Sequence, residues 1–180
     1  MTTDREILTI YREGGREQAF RLLVQTYKER LYWHIRRMVL DPDDADDCLQ
    51  NTFLKAWRSL DGFRGEARLY TWLYRIASNE TLSFLSRQQN RGEYTGLAAA
   101  DRLPSDPWFD GDRLQTALHR CIAKLPPKQK AVFNLRYFEE MPYNEIAEVL
   151  ETSEGALKAS YHHAYEKIKA WMKAEMDVND

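Results

Sequence analysis

The chain has 180 residues, 43% of them hydrophobic and 30% charged, with a formal net charge of −2. That is enough apolar material for one medium domain or two small ones, and no apolar run approaches the ~20 residues a bilayer span requires. The slight acidity counts against a protein that holds nucleic acid by bulk charge, for which a domain pI above ~9 is usual.

Only 8 Gly and 6 Pro, with long periodic segments, point to an all-α fold. The N-terminus MTTDREILTIYREGG has early acids and no long apolar block, which argues against a secretory signal. Cys48 and Cys121 lie far apart and form no metal-like cluster, so a cytoplasmic protein with two buried, reduced thiols is expected.

Asp4 to Arg12 reads as a short helix with Ile7, Leu8 and Tyr11 inward, closed by Gly14-Gly15. A long helix from about Arg16 to Leu40 carries the stripe Phe20, Leu23, Tyr27, Leu31, Ile35 and Met38. Asp41 and Pro42 end it and start the next, Asp as cap and Pro at the first helical position. That third helix runs to about Leu60 and is expected to bury Ala45, Leu49, Phe53, Ala56 and Trp57. Its acids Asp43, Asp44, Asp46 and Asp47 sit in the early turns, where the helix dipole favours them. A loop, Phe63 to Arg68, leads to a helix from about Leu69 to Arg87. Beyond it Gly, Pro, Ser and Asp accumulate without periodicity, the pattern of an extended linker. Helices then follow from Leu114 to Lys124, Pro127 to Phe138, Tyr143 to Leu150 and Ser153 onward. The expected architecture is two small helical domains, residues 1–88 and 113–180, joined by a flexible linker over 89–112.

Three blocks carry chemistry. Asp43, Asp44, Asp46 and Asp47 flank an apolar stripe through Leu49, Phe53 and Trp57; this is either a solvated helix start or a docking face for a basic partner. Between Phe63 and Arg87 basic and aromatic residues interleave: Arg64, Arg68, Tyr70, Trp72, Tyr74 and Arg75. Arginines that follow phosphates beside rings that stack bases suit single-stranded nucleic acid, although Trp72 and Tyr74, two apart, cannot both face the core. The third block, Tyr143 to Lys169, pairs a short helix (Tyr143, Ile146, Ala147, Leu150) with a second one carrying Leu157, Tyr161, Ala164, Ile168 and Trp171. Ser153 can cap the second helix, and the pair reads as a helix-turn-helix or as a plain helical hairpin. Gly155 would let backbone approach phosphate, and Lys158 could meet phosphate or a guanine edge. His162 and His163 have no Cys or carboxylate spaced for zinc, so no metal and no cofactor are expected. No catalytic triad, phosphate loop or zinc-protease motif is present, and an enzyme is not expected.

In this order the three blocks resemble the extracytoplasmic-function sigma factors of bacterial RNA polymerase, over about Ala19 to Trp171. The resemblance implies that Asp43, Asp44, Asp47, Leu49, Gln50, Phe53 and Trp57 dock on core polymerase. It implies that Arg64, Gly65, Arg68 and Tyr70, with Thr71, Trp72, Arg75 and Asn79, melt and read the −10 element. Leu125-Pro126-Pro127-Lys128-Gln129 opens the C-terminal domain as in that family. Ser153, Glu154, Gly155, Ala156 and Lys158, with Ala159, Ser160, His162 and His163, would read the −35 element. Where the family often has an Asp this chain has Ser83, and Ser160, His163 and Tyr165 stand where arginines are frequent. Fewer fixed charges there predict weak promoter binding without polymerase. The implied partners are core polymerase, promoter DNA and an anti-sigma factor, the last able to hold a cytoplasmic protein at the inner membrane. The rivals are a helix-turn-helix regulator acting alone and a helical adaptor that binds only protein.

Overall fold

The computed structural model describes residues 2–92 and 112–178, and among these eight α-helices and one 3₁₀ turn make up the regular structure. Most of the expected linker, residues 93–111, lies outside the described residues. Helix α1 (Asp4–Arg12) starts on a capping box in which Thr3 Oγ1 accepts from the Glu6 N–H and Glu6 returns the bond to the Thr3 N–H. The turn to α2 (Arg16–Val39) needs Gly15, where an added Cβ would sit 2.8 Å from the Ile10 methyl. Leu40 ends α2 at φ 65, a left-handed conformation costly for a branched side chain. It is held there by burial and by the buried Arg36 guanidinium, which donates to its carbonyl.

Asp41 then caps α3 (Pro42–Ser59), its carboxylate accepting from the Asp43 and Asp44 N–H groups at 2.9 and 3.2 Å. The 3₁₀ turn Leu60–Gly62 leads to the loop before α4 (Leu69–Asn90), which continues three residues past the expected Arg87. After the undescribed segment come α5 (Arg113–Ala123), α6 (Pro127–Tyr137), α7 (Tyr143–Leu150) and α8 (Glu154–Val178).

The two helical units pack directly against each other. α7 lies on α4, α6 meets both α2 and α4, and one buried cluster joins Ile35, Met38, Leu73 and Tyr74 to Ala131, Leu135, Ile146 and Val149. A second cluster, around Cys121, Phe133, Ala164 and Ile168, belongs to the C-terminal unit. Sandwiching explains why α7 buries Val149 in addition to the expected face: α4 covers one side and α8 another.

One expected core face is revised in part, with Ala45 and Ala56 buried as expected, and one open choice is decided. In α3 the buried stripe is Ala45, Cys48, Thr52 and Ala56, while Leu49, Phe53 and Trp57 are only half-buried. Small residues let α3 approach α2 and α4 closely, so the larger apolar ones are left on the outer side. In α4 it is Tyr74 that is fully buried, whereas Trp72 is half-buried against Phe63 at 5.2 Å between ring centres.

Candidate nucleic-acid and partner interface

On the outer side of α3, Asp43, Asp47 and Gln50 are exposed next to the half-buried Leu49, Phe53 and Trp57. Phe20 of α2 extends the stripe, edge-on to Trp57 at 5.0 Å and to Phe53 at 6.4 Å. Arg16 lies over the Trp57 ring at 3.8 Å, and an open apolar pocket forms between Phe20, Val24 and Trp57. Asp44 is turned inward, where burial and the neighbouring Asp41 raise its pKa and Gln88 donates to it at 3.3 Å. The result is an apolar strip with a carboxylate edge. Such a surface suits a partner helix that brings apolar and basic groups together.

Below this strip Glu80 of α4, a residue the sequence reading did not single out, is buried. It binds Lys55 directly, takes Asn51 Nδ2 at 3.3 Å and has Arg87 at 3.8 Å. A buried carboxylate needs such partners, and here they pin α3 to α4. The signal was its position three residues after the buried Ala77, on the same helical face.

The loop before α4 presents Arg64, Gly65 and Arg68 to solvent, Gly65 at φ 78. Arg75 and Asn79 are exposed further along α4, whereas Tyr70 and Thr71 are buried. Tyr70 lies beneath the Arg30 guanidinium at 4.8 Å, and burial with the nearby Glu139 pushes its pKa up to about 12. The structure therefore splits the expected eight residues of this block. Arg64, Gly65, Arg68, Arg75 and Asn79 are exposed, Trp72 is half-buried, and Tyr70 and Thr71 are buried.

In the C-terminal unit α7 braces α8 across a turn in which Glu151 adopts the left-handed conformation at φ 52. Ser153 Oγ accepts from the Ala156 N–H at 3.3 Å, the expected cap. Leu157, Ala164 and Ile168 anchor α8, and Tyr161 stacks on Phe133 at 5.7 Å. The leading face is open: Ser153, Glu154, Gly155, Ala156, Lys158, Ala159, His162 and His163 are exposed and Ser160 is half-buried. No atom outside its own helix stands within 4 Å of a Cβ placed on Gly155. That is a bare, narrow helix start of the kind that can enter a major groove.

Among the described residues no group of three or more His, Cys, Asp or Glu could hold a metal, and no helix is long and apolar enough to cross a membrane.

With this geometry in hand, comparison with known proteins is direct. Residues 23–91 match the family model for sigma-70 region 2, and residues 115–168 match that for sigma-70 region 4. The chain is 32% identical over 172 residues to the RNA polymerase sigma-H factor of Pseudomonas aeruginosa, covering 87% of each chain. It is 31% identical over 179 residues to the ECF RNA polymerase sigma-E factor of Haemophilus influenzae, covering 93% of this chain and 94% of that one. The solved structure of CnrH in complex with the cytosolic domain of CnrY superposes with a TM-score of 0.67 at 28% identity, over 89% and 92% of the two chains. The sigma factor RpoE of Bartonella quintana, at 20% identity and a TM-score of 0.68 over 86% and 96%, shares the fold. The chain belongs to the extracytoplasmic-function sigma factors of bacterial RNA polymerase.

Proposed function

We propose that this sigma factor docks on core polymerase through the outer face of α3, reads the −35 element with the first turns of α8, and melts and reads the −10 element with the 63–68 loop and α4. Leu49, Phe53 and Trp57 make the apolar part of the docking face beside Gln50, with Asp43 and Asp47 as its charged edge and Asp44 turned inward behind them. Arg64 and Arg68 follow phosphate beside Trp72, with Arg75 and Asn79 further along the strand. Lys158, His162 and His163 face the duplex at −35, where Gly155 and the Ser153-capped helix start allow close backbone approach. The single observation that carries this reading is the half-exposed row Leu49, Phe53 and Trp57. A soluble helix leaves such a row uncovered where a partner is to cover it.

The sparse charge of α8 fits a module that reads DNA while polymerase holds it in place. In the same reading the protein is a non-enzymatic initiation factor of the cytoplasm. The CnrH structure holds a partner protein, the cytosolic domain of CnrY, which supports a protein partner for this chain too, in this reading an anti-sigma factor. Run-off transcription with purified core enzyme tests the assignment: promoter-specific transcript should appear only when this chain is added. A promoter footprint from the chain alone, tight and resistant to salt, would instead mark a self-sufficient regulator.

A further inference from the structure

Three glutamates of the C-terminal unit hold arginines of the N-terminal unit. Arg68 Nη1 donates to Glu145 Oε1 at 2.9 Å, and Arg75 pairs with Glu151. Glu139, its side chain only 9% exposed, takes Tyr74 Oη at 2.8 Å and Arg37 at 3.4 Å, with Arg30 at 3.8 Å. The registers match. Glu145 and Glu151 are six residues apart and Arg68 and Arg75 seven, spans of roughly 9 and 10 Å at helical rise. The two pairs thus close together when α7 lies along α4.

A carboxylate and a phosphate oxygen offer a guanidinium the same kind of acceptor. We propose that Glu139, Glu145 and Glu151 form a carboxylate latch: Glu145 and Glu151 occupy Arg68 and Arg75 along α4 in place of DNA phosphate, and Glu139 fastens the C-terminal unit to Tyr74 of α4 and to Arg30 and Arg37 of α2. The free protein is thereby kept from engaging a melted strand. This rests on the −10 reading of Arg68 and Arg75 given above. The latch is selective in what it covers. The outer strip of α3 and the leading face of α8 stay open in the closed form, so polymerase can pick up the latched protein before α4 is uncovered. Glu139 is the strong point, because its carboxylate, Arg37 and Tyr74 are largely withdrawn from water. The two outer pairs are solvent-exposed and yield to salt.

The test uses the full-length chain with Glu139→Gln, Glu145→Gln and Glu151→Gln combined, circular dichroism confirming retained helix. Small-angle scattering reports opening, and fluorescence anisotropy with a single-stranded oligonucleotide of −10 sequence reports uncovering of α4, both without polymerase. The expected result is a larger radius of gyration and about tenfold tighter strand binding than wild type. In a charge swap, Glu151→Arg alone should open the chain and adding Arg75→Glu should reclose it. An unchanged radius of gyration, or opening with no gain in strand binding, overturns the latch. The −10 reading is judged separately: it fails if holoenzyme carrying Arg68→Ala and Arg75→Ala still opens promoters as wild type does.

Discussion

His34 is fully buried between α2 and α4, its Nε2 3.1 Å from Ser78 Oγ, and burial reinforced by Arg37 pushes its pKa down to about 3. His119, stacked on Phe138, is lowered to about 4 by burial and by Arg37 and Arg36. In both cases the unfolded chain takes up a proton near pH 6.5 that the folded chain refuses. The stability is therefore complete above pH 6.5 and is lost as pH falls toward the folded values. At pH 5 each imidazole removes about 2 kcal/mol. Urea midpoints should fall between pH 7 and 5, and His34→Gln, which can keep the Ser78 contact, should flatten that fall by about half of the histidine share. An unaltered slope would show that His34 is not the acid-sensitive group.

Lys130 has the same sign in a higher window. Its side chain is buried, with Nζ 3.5 Å from the Met38 carbonyl, and burial lowers its pKa to about 8. Between about 8 and 10.5 the unfolded chain binds the extra proton, so stability rises with pH across that window. Lys130→Met should be more stable at pH 7, by on the order of 3 kcal/mol at most, and its urea midpoint should not climb between pH 7 and 9.5. Above pH 10 the raised pKa values of Tyr27, Tyr70 and Tyr74, each caused mainly by burial, work in the opposite direction.

At the scale of the element, α3 shows what periodicity can and cannot reveal. That it is helical, starts on Asp41-Pro42 and is amphipathic follows from spacing and capping. Which stripe is buried does not, because ranking by apolar size selects Leu49, Phe53 and Trp57. The buried choice is Ala45, Cys48, Thr52 and Ala56, set by how closely α2 and α4 approach. The helix-turn-helix was legible for the opposite reason: its cap, its short bracing helix and its bare leading face are all local in sequence. A consequence can be measured. Phe53→Ala with Gln50→Ala removes half-exposed and exposed side chains, so it should cost about 1–2 kcal/mol or less of stability, below the ~3–5 typical of a fully buried Phe. It should nevertheless abolish capture of core polymerase in a pull-down. Intact capture would move the docking surface off α3.

At the scale of the whole molecule, the pattern that called for two helical units contains no statement of how they meet. The residues through which they meet are far apart in the chain: Tyr74, Met38, Ile146, Val149 and Glu139. None of these is unusual in its own helix or turn, so only the assembled fold reveals the shared core. Severing the chain should expose it. A fragment ending at Gly92 would leave Tyr70, Leu73 and Tyr74 uncovered and should melt below the intact protein. Adding a fragment beginning at Asp112 should restore stability in proportion to occupancy, about 2.7 kcal/mol at one hundred times the dissociation constant. Glu139→Gln in the added fragment should weaken the rescue, since it removes the counter-charge of Arg37 and leaves one acceptor oxygen where Arg37 and the Tyr74 hydroxyl had two. Thermal melts of the N-terminal fragment across a titration of the C-terminal one decide the matter. A melting temperature indifferent to the added fragment would mean that the two units do not associate through this face, whereas a shift that Glu139→Gln diminishes would locate the association where Glu139 meets Tyr74 of α4 and Arg37 of α2.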